Sequence, residues 1–563
     1  MTSLTSHVLG DTSTPLLEIT IGEALEAAAR QWGDREALVS VHQGVRWSYG
    51  ELLSRADRLA SGLLELGLVP GDRVGVWAPN CAEWTLVQFA TARVGLIQVN
   101  INPAYRSSEL EYTLNKVGVK ALICARAHKS SRYVEMVNEL APEISDARPG
   151  MIRAARAPHL RAVIEIGPFA DPGWMTFEEL IDVGRKGPAT RVRDIAEGQR
   201  ATQPINIQFT SGTTGLPKGA TLSHRNLLNN ARFVGQGMRL GQDDRLCIPV
   251  PLYHCFGMVM GNLSCLVHGS AMIYPSEAFD PWAVLHALAA ERCTALHGVP
   301  TMFIAELEHP EFEQFDLSTL RTGLMAGSPC PVEVMKRVMD RMNMREVGIA
   351  YGMTETSPVS FQTAFDDPIE RRVSTVGRVQ PHLEVKVVGP DGGAVPRGEP
   401  GELCTRGYSV MLGYWEDPEK TAEAVDPDGW MHTGDLAVLD EEGYGNIVGR
   451  IKDMVIRGGE NIYPREVEEY LFRHPKVEDV QVVGVPDRKY GEELCAWIRL
   501  RHGERASEQE IIEFCRERIA HYKIPRYVRF VDAFPMTVTG KVQKFEIRRA
   551  MIAELGRVEE TTA

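Results

Sequence analysis

Thr210-Ser211-Gly212-Thr213-Thr214-Gly215-Leu216-Pro217-Lys218-Gly219 gathers hydroxyls, three glycines and one lysine into ten residues, the composition a loop needs to grip a polyphosphate. Glycine lets backbone N–H groups turn in on a phosphate oxygen, the hydroxyls add neutral donors, and the lysine supplies a compact cation. Taken alone, such a run is more often an ordinary polar turn. It fails the G-x-x-x-x-G-K-[ST] pattern because Pro217 stands where that pattern has glycine, so P-loop kinases and GTPases are disfavoured.

The surrounding chain alternates helix-like and strand-like segments. Tyr49 to Leu66 is amphipathic, Arg73 to Trp77 is a short apolar strand, and Lys120 to Cys124 repeats the strand signal after another helix. The same rhythm returns at Ala162 to Ile166, Leu246 to Val250 and Met272 to Tyr274. An α/β fold with mostly parallel sheets covered by helices is expected. Arg185 to Pro204 is polar and reads as a surface connection leading into the phosphate-type loop. After Gly449-Arg450 short segments and charged helices replace the βα rhythm, so a small α+β domain is expected over 451–563, following a larger region of subdomains over 1–450. In it Pro464 suits a first helical position, Ser507 with Glu510 has the form of a capping box ahead of Ile511, Ile512, Cys515 and Ile519, and Val558 to Ala563 reads as a frayed tail.

Bulk properties narrow the partners. With 563 residues, 44% of them hydrophobic, the chain is enzyme-sized. A net charge of −14 disfavours nucleic acid and acidic membrane surfaces and points to small ligands held by local cations. No apolar run approaches a membrane span, and the start lacks the basic and apolar pattern of a signal. The ten cysteines show no C-x-x-C pair and no His/Cys cluster at zinc spacing, so they read as reduced core residues. A cytoplasmic location is expected.

Tyr351-Gly352-Met353-Thr354-Glu355-Thr356 follows the apolar strand Val347 to Ala350 and places an aromatic, a glycine, hydroxyls and a carboxylate together. With the first loop and its continuation Ser223-His224-Arg225-Asn226, it resembles the adenylate-forming superfamily of acyl-CoA synthetases, peptide-synthetase adenylation domains and beetle luciferase. The resemblance runs from about Ala24 through Lys544. It implies ATP, Mg²⁺ and CoA as ligands. Thr210, Ser211, Gly212, Thr213, Thr214, Gly215 and Lys218 would then hold phosphates. Tyr351 beside Gly352 would pack on adenine, Thr354 would touch the α-phosphate, and Glu355 would reach Mg²⁺, for which one carboxylate beside a triphosphate is adequate. Gly327-Ser328-Pro329 matches the segment along the adenine. Asp435 in His432-Thr433-Gly434-Asp435 matches the ribose residue, whose carboxylate can accept both hydroxyl protons of a cis-diol. Arg450 matches an arginine that contacts ribose and phosphate.

The resemblance also makes Lys452 a hinge, with Gly458 and Gly459 lining the thiol's path. Lys541, in Pro535-Met536-Thr537-Val538-Thr539-Gly540-Lys541, matches the lysine that stabilises charge as the substrate carboxylate attacks phosphorus. Lys541 lies so far from Lys218 in the chain that both serve one site only if the terminal domain folds over the nucleotide. Its loop is expected to be exposed and open to a lysine acetyltransferase. Tyr253, His254, Gly257 and Met325 are the acyl-pocket candidates, with Gly257 and Gly261 leaving space. Acid–base catalysis by His254 is not expected, since a carboxylate nucleophile is already ionised.

Val99 to Arg106, Pro251 to Gly257 and Leu324 to Pro331 look like the medium-chain acyl-CoA synthetase branch. The reaction implied is formation of acyl-AMP from a carboxylic acid and ATP, followed by transfer to CoA. An aryl acid, a separate carrier-protein acceptor, and a non-catalytic ATP sensor remain open alternatives.

Overall fold

A computed structural model describes residues 5–210, 217–328, 330–458, 460–516, 518–537 and 540–557. The βα rhythm folds into two large sheets. In the first, of eight strands, Pro204–Thr210, Ile97–Asn100, Arg73–Trp77, Val119–Ala125, Ala162–Ile166 and Met175–Thr176 run parallel in that spatial order. One edge turns antiparallel through the pairing of Pro204–Thr210 with Lys218–Ser223, to which Gly413–Tyr414 is added. In the second, of nine strands, the parallel set is Glu346–Gly352, Thr322–Ala326, Ala295–Gly298, Arg245–Cys247, Ala271–Tyr274 and Glu36–Ser40.

Strands buried on both faces must be apolar on both, and the sequence obeys this. Along Val119–Ala125, Ala121 and Ile123 enter the core shared with the second sheet, while Leu122 and Cys124 enter a separate outer core. Between the sheets lie the helix Ala82–Arg93 and the π-helical stretch Phe256–Leu263, the latter buried throughout. The amphipathic helix Tyr49–Glu65 starts at a full capping box of Ser48 and Glu51 and buries Leu52, Ala56, Leu59 and Leu63 on one face.

Four expectations change. The stretch Arg185 to Pro204 contains the helix Ala189–Glu197, which buries Val192 and Ala196 one turn apart. The strand expected over Leu246 to Val250 spans Arg245–Cys247, because Pro249 and Pro251 cannot donate to a ladder. Ser507 accepts the Glu510 N–H at 3.1 Å, but the reciprocal half of the box is not made; the Glu510 carboxylate instead pairs with Lys476 at 2.7 Å. Finally, the chain builds an all-antiparallel sheet that the βα reading did not include: His7–Leu9, Leu383–Val388, Gly401–Gly407, Met431–Leu439 and Gly445–Arg450, in that order.

Gly445–Arg450 closes that third sheet. From Val455–Arg457 onward the chain forms a fourth, with Glu460–Ile462, Gly491–Leu500, Val477–Asp487 and Tyr527–Phe530, around its own core of Val455, Val467, Val480, Ile498 and Ile511. Pro464 occupies the first turn of the helix Pro464–Leu471. No helix among the described residues is long and apolar enough to cross a membrane.

Candidate active site

Pro204–Thr210, Thr322–Ala326 and Glu346–Gly352 are parallel strands of the two large sheets, and each ends at candidate residues: Thr210, Gly327-Ser328 and Tyr351-Gly352. A crevice outside the carboxyl ends of parallel strands is where open α/β sheets bind ligands. Thr210 Oγ1 donates to Glu355 Oε1 at 3.1 Å, and Tyr414 OH donates to the same oxygen at 2.9 Å. The Lys218 ammonium lies 4.3 Å from the centre of the Tyr414 ring. Thr210, Lys218 and Glu355 therefore meet, together with a residue the sequence did not single out. Tyr414 arrives by strand pairing with Ala220 and by the Met411 N–H bond to the Glu355 carbonyl at 2.8 Å; no local pattern in Gly413-Tyr414-Trp415 marks it. Ser211, Gly212, Thr213, Thr214, Gly215, Pro329 and Gly459 lie outside the described residues.

Both side-chain hydrogen bonds to Glu355 fall on Oε1. Its Oε2 has no hydrogen bond among the described residues, which suits a hard cation that takes carboxylate oxygen. Thr354 is buried beside it in the turn Thr354–Thr356. Gly352 is required there, since a Cβ would fall 1.7 Å from the Pro358 carbonyl oxygen.

Asp435 and Arg450 face each other across Met431–Leu439 and Gly445–Arg450. Arg450 Nε donates to Asp435 Oδ1 at 3.0 Å and Tyr351 OH donates to Oδ2 at 2.6 Å. Burial, and then the Asp435 charge, push the Tyr351 phenol well above its ordinary range, so it remains a donor. The carboxylate is thus fixed by one residue from the second sheet and one from the third, with lone pairs left for a diol.

Lys541 is brought into this crevice. A Cβ on Gly327 would lie 3.5 Å from Lys541 Cε, and one on Gly540 would lie 3.0 Å from Val299 Cγ2. Thr301 Oγ1 donates to the Gly540 carbonyl at 3.3 Å. Burial, then the neighbouring Arg450 charge, lower the Lys541 ammonium to about 8, against the opposing pull of Asp435 and Glu355. The expectation of an exposed loop is corrected: Lys541 is half-buried, seated against residues of the large domain. Arg465 Nη1 to the Ile447 carbonyl at 2.7 Å and Arg501 to Glu308 at 3.3 Å add further contacts across the same junction. Lys452 stands in the short turn Ile451–Asp453 between the third and fourth sheets, its ammonium lowered by burial and by Arg450. Gly458 has φ +60° in the next turn.

The acyl-pocket candidates separate. Tyr253 packs against the inner core with Phe256 and Met258. His254 Nδ1 accepts the Phe256 N–H at 3.2 Å, and burial, with Lys541 adding to it, lowers the imidazole to about 3, which keeps it neutral. Gly257 does not open pocket space as expected, because a Cβ there would meet the Pro251 carbonyl oxygen at 2.5 Å. Its smallness serves a close backbone approach. Met325 points away from this group: Leu324 and Ala326 enter the inner core, while Met325 packs with Val347 and Ile349 on the other face of the sheet. Beneath Met258 runs an amide ladder absent from the sequence candidates. Asn206 Nδ2 donates to Asn100 Oδ1 at 3.0 Å, Gln208 Nε2 to Asn206 Oδ1 at 2.9 Å, and Cys255 Sγ to Gln208 Oε1 at 3.3 Å. Polar residues spaced two apart inside apolar strands, Gln98 and Asn100 in one and Asn206 and Gln208 in the next, were the available signal.

The pattern of the family described as "AMP-binding enzyme" matches residues 25–415, and that of the "AMP-binding enzyme C-terminal domain" matches residues 466–541. The chain belongs to the AMP-binding enzyme family. It is 49% identical over 538 residues to YngI of Bacillus subtilis (strain 168), covering 95% of this chain and 98% of that one. It is 46% identical to the bovine (Bos taurus) "Medium-chain acyl-CoA ligase ACSF2, mitochondrial", across 97% of this chain and 90% of the relative. The crystal structure of the anthranilate CoA ligase AuaEII in complex with anthranoyl-AMP superposes with a TM-score of 0.85 at 27% identity, covering 96% of this chain and 99% of that one.

Proposed function

We propose that the protein is an ATP-dependent acyl-CoA synthetase acting on medium-chain fatty acids. The observation that carries this reading is the seating of Lys541 in the crevice that also holds Glu355, Asp435 and Arg450, where a lysine serves acyl-adenylate formation rather than mere nucleotide binding. In the first step a substrate carboxylate oxygen attacks the α-phosphorus and the bond to the pyrophosphate oxygen breaks. Lys541 stabilises the charge that develops between them. In the second step the CoA sulfur attacks the acyl carbon and AMP leaves. Glu355 Oε2 would hold Mg²⁺, which supplies charge neutralisation on the phosphates. Asp435 fixes the ribose and Tyr351 the base. The terminal domain must leave for the second step, so we assign the boundary to 450/451, the hinge to Lys452 and the thiol path to Gly458 and Gly459. Acetylation of Lys541 would require the same departure, and would remove the charge adenylation needs.

Medium length is supported by the name of the bovine relative and by Met258 and Met260, whose flexible thioethers lie in the inner core beside Phe256. Each methylene buried should add at most about 0.8 kcal/mol until the floor is reached. An aryl acid is the second reading, favoured by the superposition on the anthranilate ligase. The ten cysteines, all buried and unpaired, suit a reducing compartment, for which we propose the cytoplasm. A panel of straight-chain, branched and aryl acids, assayed for AMP release with and without CoA, tests the assignment. A kcat/KM maximum at intermediate chain length, dependent on CoA, is expected. A maximum on acetate or on benzoates alone overturns it, and turnover without CoA points to another acceptor.

A further inference from the structure

Three residues before Asp435 in the third sheet, a second cluster stands outside the chemistry above. Cys404 and His432 are direct cross-strand partners of Gly401–Gly407 and Met431–Leu439, and Glu402 precedes Cys404 by two residues. His432 Nδ1 lies 3.5 Å from Cys404 Sγ and 2.9 Å from Glu402 Oε2. All three donor atoms fall within 4.8 Å of one another. Sequence spacing conceals this, because the ligands come from two strands and their register alone joins them.

These spacings are those of hydrogen bonds and also lie close to those between the ligands of a tetrahedral metal. Sulfur at about 2.3 Å and nitrogen at about 2.0 Å from a tetrahedral zinc stand roughly 3.5 Å apart, which Cys404 and His432 already do. The Glu402 contact has only to open by about half an ångström, a carboxylate rotation. Behind the ring, Asp426 Oδ2 lies 3.8 Å from His432 Nε2, while its Oδ1 accepts the Asp428 and Trp430 N–H groups at 3.0 and 2.9 Å. At 3.8 Å this is a charge contact and not a hydrogen bond, and a carboxylate behind a ligating histidine raises its basicity. The nearby cations are occupied elsewhere: Lys386 and Arg406 sit over the Trp430 ring at 4.3 and 4.5 Å. Cys404 is fully buried, whereas the His432 side chain is 36% exposed, which leaves a way in.

We propose that Glu402, Cys404 and His432 form a binding site for a borderline-soft divalent metal, zinc in the first place, with Asp426 behind the histidine and water as fourth ligand. As the metal binds, the Cys404 sulfur donates a lone pair and its proton passes to solvent. Glu402 Oε1 accepts the Gly434 N–H at 3.2 Å, so an ion on Oε2 fastens the turn that presents Asp435. Metal occupancy and the position of that aspartate are thereby linked.

The test uses the full chain, treated with a chelator, free of nucleotide, and titrated with Co²⁺ and then Zn²⁺. One equivalent of Co²⁺ should produce a sulfur-to-cobalt charge-transfer band that Zn²⁺ removes, with a rise in melting temperature. Cys404→Ser should abolish the band, His432→Gln should weaken binding at least tenfold, and Asp426→Asn should weaken it by about tenfold. Absence of the band in folded wild-type protein, its survival in Cys404→Ser, or an unchanged Kd in His432→Gln overturns the site and leaves Glu402 and His432 as a brace for the turn.

Discussion

The corner around Asp435 and the loop that carries Lys541 meet in one crevice but are held in unlike ways. Asp435 is wired at both oxygens, to Arg450 across a strand pair and to Tyr351 from another sheet. The Lys541 loop holds its own shape through Thr537 N–H to the Lys541 carbonyl at 2.8 Å and Lys541 N–H to Thr537 Oγ1 at 3.1 Å, and rests on the large domain through Val299, Met302 and the Thr301 bond to Gly540. Breaking a buried charged bond leaves a desolvated ion, whereas an apolar seat with a neutral hydrogen bond separates at small cost. The proposed succession of two reactions on one nucleotide would use this division, with one end held and a lysine free to leave.

Lys541→Ala should break the comparison most sharply. Acyl-AMP formation should fall by about 10²–10³, while supplied acyl-AMP still reacts with CoA at close to the wild-type rate; single-turnover assays of each step measure this. Equal damage to both steps would mean that the lysine serves one rigid site. Asp435→Asn comes next and should differ in kind, since loss of the charged bonds weakens ATP and acyl-AMP alike. About ten- to a hundredfold is expected in the KM for ATP and in the Kd for acyl-AMP, and a loss confined to one half-reaction would contradict a fixed ribose anchor.

A pH series sharpens the contrast. In the proposed role Lys541 would stabilise the adenylation transition state only when protonated, and its pKa is lowered to about 8. Adenylation kcat/KM should therefore hold below that value and decline as pH rises through it, by about tenfold one unit above. Lys541→Arg stays charged and should remove the decline, whereas a slope that survives in Lys541→Arg belongs to another group. Thr301→Val is the smallest perturbation. Loss of one neutral hydrogen bond should slow adenylation roughly two- to tenfold, with no loss in thioester formation from supplied acyl-AMP.

The amide ladder and Met325 show where sequence reading stopped. Thr210, Lys218, Thr354 and Glu355 belong to two short runs of neighbouring residues, so the chain carries each pattern intact, and the fold brings Thr210 onto Glu355. Met325 lies in a strand buried on both faces, where apolar periodicity has no preferred side, and only packing against Val347 and Ile349 decides its direction. Tyr414 and the Cys404–His432 pair depend on strand register, which the antiparallel sheet sets at long range. That sheet escaped because its alternation, clear in Leu383-Glu384-Val385-Lys386-Val387, occurs in short pieces between turns.

What the sequence by itself determined is the α/β class, the order of the motifs and the family, because each rests on patterns carried within a few neighbouring residues. What only the tertiary structure decided is which groups share a space: that Lys541 enters the crevice of Glu355 and Asp435, that Tyr414 shares the Glu355 oxygen with Thr210, that Gly257 serves the backbone and not the pocket. Those facts are set by sheet register and domain seating, where the free energy lies in contacts between segments far apart in the chain, and no local run of residues encodes them.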